Sequence, residues 1–76
     1  MNCLADVSLG GKAVVRSVLG GDDVSLRLLE MGLTPGVEIR LIGAAPLGDP
    51  LELDVRGYRL SVRKSEAARV EVELLA

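Results

Sequence analysis

The chain has 76 residues, of which 11 are acidic and nine basic, giving a net charge of −2, with no histidine. That length allows one domain with a small core. A weakly acidic chain with a single aromatic argues against nucleic acid, which is met by basic faces and stacking rings. The lack of histidine removes the commonest general base and metal ligand. No run approaches the ~20 apolar residues of a membrane-spanning helix.

Met1 to Gly11 reads as a lead-in, pinned to the fold by Leu4, Val7 and Leu9 and ended by the turn signal Gly10-Gly11. It has neither the basic start nor the apolar stretch of a signal peptide. Cys3 has no second cysteine to pair with, as expected in a reducing compartment. The expected location is therefore cytoplasmic, with no direct insertion into a membrane. The apolar residues are almost all Leu, Val, Ala and Ile, so the core must be built from branched aliphatics. Each one buried contributes roughly 1.5–3 kcal/mol.

Lys12 to Leu19 is rich in β-branched residues and too short for a helix of its own, which predicts a strand. Both of its faces are partly apolar, so the inward one is left open. Gly20-Gly21 ends it. Asp22 or Asp23 then caps a helix, accepting from its free N–H groups and meeting the positive end of its dipole. Val24, Leu28 and Met31 form the apolar stripe, with Leu29 beside it and Ser25, Arg27 and Glu30 away from it. Leu26 is left toward the outer side. Gly32 suits the left-handed position after the helix, Leu33 folds back on the last turn, and Thr34-Pro35-Gly36 has the type II turn pattern.

Three alternating strands follow. The predicted inward rows are Val37, Ile39 and Leu41; Leu51, Leu53 and Val55; and Tyr58, Leu60 and Val62. Arg56-Gly57 makes a tight hairpin between the last two. Ala45 to Pro50 is a loop stiffened by two prolines. Lys64 to Ala68 gives one helical turn of the 3-10 type. Val70, Val72 and Leu74 form the final inward row. The expected fold is mostly β: a small barrel of about five strands, one helix after the first strand and a 3-10 turn before the last, in a single domain over residues 1–76. Closure into a barrel removes exposed edges.

No catalytic group emerges. There is no phosphate-binding glycine loop with its lysine and no nucleophile elbow. Glu52/Asp54 and Glu71/Glu73 sit at i, i+2 on outward faces, a spacing that suits a hard cation but equally a solvated strand face. Arg56, Arg59, Arg63 and Lys64 cluster near the last hairpin, as an anion or partner patch or as members of ion pairs. The expectation is that the protein is no enzyme and holds no cofactor or metal.

Leu28-Leu29-Glu30-Met31-Gly32-Leu33-Thr34-Pro35-Gly36 resembles the Leu-x-x-Leu-Gly-x-x-Pro-Gly signature of the FeoA family. Ala45-Pro46-Leu47-Gly48-Asp49-Pro50 resembles its Pro-x-Gly-Asp-Pro loop, and Leu60 to Ala67 with Val70-Glu71-Val72 its closing segment. Met31 stands where the family usually has Leu, a volume-conserving swap. The resemblance runs from about Leu4 to Leu74. It implies an SH3-like barrel that docks on FeoB, a membrane transporter of ferrous iron with a cytoplasmic GTP-binding domain, and that assists or regulates it. The same domain type occurs at the C-terminus of repressors related to the diphtheria toxin repressor, so a metal-responsive interaction domain is the first alternative and a nucleic-acid-binding barrel the second. The candidate contacts are Leu26, Leu29 and Glu30 on the outer helix; Leu33, Thr34 and Pro35 in the turn; and Leu47, Gly48 and Asp49 in the loop. Leu26, Leu47 and Leu75 also offer apolar surface for weak self-association.

Overall fold

A computed structural model describes residues 2–75. Its elements are β1 (Asn2–Cys3), a 3-10 turn (Leu4–Asp6), β2 (Lys12–Val18), α1 (Asp23–Glu30), β3 (Glu38–Ala44), β4 (Leu51–Val55), β5 (Tyr58–Val62), α2 (Lys64–Ala67) and β6 (Val70–Leu74). All six strands form one antiparallel sheet in the order β1-β6-β2-β3-β4-β5. The sheet curls into an SH3-like shape, but the ladder does not close, and β1 and β5 are left as its edges.

Alternation sets the core. Val37, Ile39, Leu41, Leu51, Leu53, Val55, Val62, Val70 and Val72 are all buried, as the period-two pattern requires. For β2 the inward face is that of Ala13 and Val15, both fully buried. Beyond Val15 the pairing with β6 shifts register, which breaks the strict alternation at Arg16 and Ser17. α1 lays Leu28 against this sheet, with Val24 and Met31 half-buried beside it.

Several expectations are corrected. The lead-in supplies a sixth strand, as Asn2 and Cys3 pair with Val72 and Glu71. Leu4 and Val7 are buried, but Leu9 is exposed beside Gly10, whose φ of 81° turns the chain away. The turn before β6 has i→i−4 bonds, from Ala67 N–H to Arg63 and from Ala68 N–H to Lys64, so it is α-helical. The 3-10 turn is at Leu4–Asp6. Ser25, placed away from the apolar stripe, is buried; its hydroxyl donates to the Asp22 carbonyl at 2.8 Å, which satisfies it locally. Leu74, expected inward, is exposed where β6 runs past the core. Tyr58, also expected inward, lies at the end of the sheet with its ring partly in solvent.

Candidate interaction surface

The residue that caps α1 is Asp22, not Asp23. The Asp22 carboxylate accepts from the Ser25 N–H at 3.0 Å, and the Arg69 guanidinium donates to both its oxygens at 2.6 and 2.7 Å. The hydrogen bond from Arg69, helped by that from Ser25, lowers the Asp22 pKa from 3.8 to about 2. Gly20, at φ 112°, makes room for Arg69: a Cβ there would stand 2.8 Å from Nη1. The helix start is therefore tied to the segment leading into β6. A second tie is the ion pair between Arg27 and Glu66, which joins α1 to α2.

The other end of α1 is a Schellman stop. Gly32 N–H donates to the Leu29 carbonyl at 3.0 Å and Leu33 N–H to the Leu28 carbonyl at 3.2 Å, and Leu33 then packs into the core. Tyr58 seals this stop, donating its O–H to the Met31 carbonyl at 2.7 Å. A β-carbon on Gly32 would overlap that hydroxyl oxygen, so Gly32 is required both by its φ of 110° and by the ring above it. The turn follows as predicted, with Val37 N–H bonded to the Thr34 carbonyl at 3.1 Å and Gly36 at φ 92°.

These placements sort the candidate contacts. Leu26 is 55% exposed and Glu30 is exposed, while Leu29 is half-buried. Leu26 and Leu29 line a shallow hollow with Gly21, Asp22, Asp23 and Ser25. Leu33 is fully buried and offers no side-chain surface, because closing the helix stop draws it inward. Thr34 is half-buried and Pro35 exposed. In the loop, Leu47 is 97% exposed. Gly48 closes a turn on the Ala45 carbonyl at 2.7 Å. Asp49 is engaged within the fold, its Oδ1 accepting from the Lys64 N–H at 3.0 Å and so capping α2.

The structure does not gather these residues into one patch. Ile39 pairs with Val55 and Ala44 with Leu51, so the turn before β3 and the loop after it lie at opposite ends of that seven-residue strand. That separates them by about 20 Å at the usual rise per residue. Tyr58 was missed as a surface residue. Its place at the end of an alternating row hid it, although the need to satisfy a phenol hydroxyl argues for an end position.

One of the two acidic pairs is otherwise occupied. Glu71 accepts from the Ser17 hydroxyl at 2.6 Å, and Glu73 pairs with Arg16. Among the described residues, no group of three Cys, Asp or Glu side chains is placed to hold a metal ion. The Cys3 thiol lies 3.4 Å from Asp6 Oδ2. No helix of the described residues is long and apolar enough to cross a membrane.

Comparison with known proteins gives this geometry relatives. The FeoA domain model matches residues 2–74. A curated Fe(2+) transport protein A/Fe(2+) transporter FeoB fusion protein of Porphyromonas gingivalis is 37% identical over 73 residues, which are 96% of this chain and 9% of that protein. The chain thus spans about a tenth of that relative. The NMR structure of an FeoA-like protein from Clostridium acetobutylicum superposes with a TM-score of 0.91 at 40% identity, over 99% of this chain and 87% of the other. A zinc complex of Stenotrophomonas maltophilia FeoA, described as a procaryotic SH3 domain protein, gives a TM-score of 0.83 at 36% identity, over 96% and 91% of the two chains. Matched along nearly its whole length in sequence and in the curl of its sheet, the chain belongs to the FeoA family.

Proposed function

We propose that this domain is a non-enzymatic, cytoplasmic docking module that binds an FeoB-type ferrous-iron transporter at the inner face of the membrane and modulates its GTP-dependent cycle. The observation that carries the reading is the relative in which an FeoA segment and FeoB share one polypeptide. Covalent linkage holds two partners at millimolar effective concentration. Without such linkage, the contact rests on the surface of the domain itself.

The surface available for this is apolar and exposed at Leu26 and Leu47. Exposed leucines of this kind are common singly, but those on a capped helix and a stiff loop cost little entropy to present. The test is capture of FeoB, or of its GTP-binding domain, by the immobilised protein, followed by GTP hydrolysis with and without it. Saturable capture with a change in hydrolysis rate is the expected result. No capture by a protein whose circular dichroism shows it folded would sink the reading.

A further inference from the structure

We propose that the free edge of β5 is a strand-addition site for an acidic, extended segment of a partner protein. β5 is the last strand of the sheet. Its hairpin with β4 closes through Arg56 at φ 51° and Gly57 at φ 87°, the two left-handed residues of a type I′ turn. In such a hairpin the closing pair, here Val55 and Tyr58, exchanges both backbone hydrogen bonds, and facing pairs alternate thereafter. Tyr58, Leu60 and Val62 therefore direct their backbone groups at β4, and Arg59 and Ser61 direct theirs away from the sheet. Among the described residues, no turn, loop or cap bonds to the backbone of Arg59 or Ser61. The other edge is different: β1 is only two residues long, which is one way to blunt an edge. β5 has five residues, no proline and no register shift.

Charge specifies the partner. Arg56, Arg59, Arg63 and Lys64 run from the hairpin turn to just past the strand. The three ion pairs among the described residues use Arg16, Arg27 and Arg69, so none engages these four cations. The nearby carboxylates, Glu52 opposite Ser61 among them, offset these cations only in part. Asp54 faces Arg59, but it also faces Arg40 on β3, and Asp49 is taken up capping α2. A molecule of net charge −2 thus carries an excess of positive charge along its one long edge. Cations on an edge discourage pairing with a like edge, and they leave an acidic strand as the fitting addition.

The edge also joins the two separated candidate patches. At one end Tyr58 holds the Met31 carbonyl at the helix stop, and at the other Lys64 holds Asp49 of the loop. A strand of five residues, about 17 Å long, would cover most of that distance.

The inference rests on the docking reading only in assigning the acidic segment to the transporter. The edge itself is tested with a synthetic peptide of three Glu-Val repeats, blocked at both ends, titrated into the isotope-labelled protein and followed by amide NMR. Saturable shifts centred on Arg59 and Ser61, slowed exchange of those two amides and weaker binding at higher salt are expected. The Lys-Val counterpart should not bind. Ser61→Pro removes an outward N–H that the native ladder does not use, and proline is tolerated on an edge strand. It should abolish binding with the other amide shifts largely unchanged. Arg59→Glu, which keeps the backbone, should weaken binding about tenfold or more. Shifts centred on α1, no saturation, or equal binding of the Lys-Val peptide would overturn the proposal. Because capture of FeoB is scored separately, peptide failure with capture intact removes the edge and leaves docking standing.

Discussion

Replacing Gly32 by alanine tests how the helix stop is held. Alanine at φ 110° is forced into a left-handed backbone, at about 1–2 kcal/mol. Its β-carbon also overlaps the Tyr58 hydroxyl oxygen and stands 3.3 Å from Cζ, so the ring must swing out. That releases the bond to the Met31 carbonyl, worth about 1 kcal/mol. The sum is about 2–3 kcal/mol. For a domain of this size, with a urea slope of about 1 kcal/mol/M, the unfolding midpoint should fall by about 2–3 M. Tyr58→Phe alone should cost about 1 kcal/mol. In the double variant the hydroxyl has already gone, so the same hydrogen bond is lost only once. The double should cost about 1 kcal/mol less than the sum of the singles, read by urea titration followed at 222 nm. Strict additivity would refute the account, because it would mean that the strain at Gly32 is in the backbone alone and the ring plays no part.

Other outcomes are equally checkable. Asp22 has its pKa lowered to about 2 in the folded state, so the charged form stabilises the fold fully above the unfolded value of 3.8, and that contribution is lost as pH falls toward 2. The stability gap between the wild type and Asp22→Asn should therefore be widest above about pH 4 and shrink toward pH 2, read from urea midpoints across that range. Leu33→Ala removes a fully buried side chain and should cost about 2–5 kcal/mol. Leu26→Gln and Leu47→Ser, on exposed side chains, should change stability by no more than about 0.5 kcal/mol yet weaken capture of FeoB; capture unchanged in both would remove these leucines from the contact. Anaerobic calorimetry with ferrous ion should show no saturable heat, and a stoichiometric binding curve would reinstate direct metal sensing.

The strands of the second half are legible because most of their buried residues alternate, and β3, β4 and β5 each have a glycine or proline turn beside them. Ile39, Leu53 and Val62 are buried as the pattern demands. The helix was legible at both ends, since a carboxylate start and a glycine stop have local chemistry that needs no tertiary context. What failed lay where an element meets the end of the sheet. Leu9, Tyr58 and Leu74 have inward-type side chains but stand past the last layer of partners, a position that periodicity does not encode. β1 was missed because two residues carry no period at all. The candidate contacts suffered similarly. Leu33 has the character of a surface turn in the sequence and is taken by the core, and Asp49 is used to cap a helix fifteen residues away.

The pairing of Asn2 with Val72 sets the first described strand alongside the last. The described residues therefore run close to a ring, opened at one point on the border of the sheet. Joining the two ends by a short linker and cutting instead between Pro46 and Leu47 would keep every strand pairing and move the opening to a loop tip that carries no ladder bond. For such a domain, the order in which the strands are written along the polypeptide is less constrained than the order in which they lie side by side.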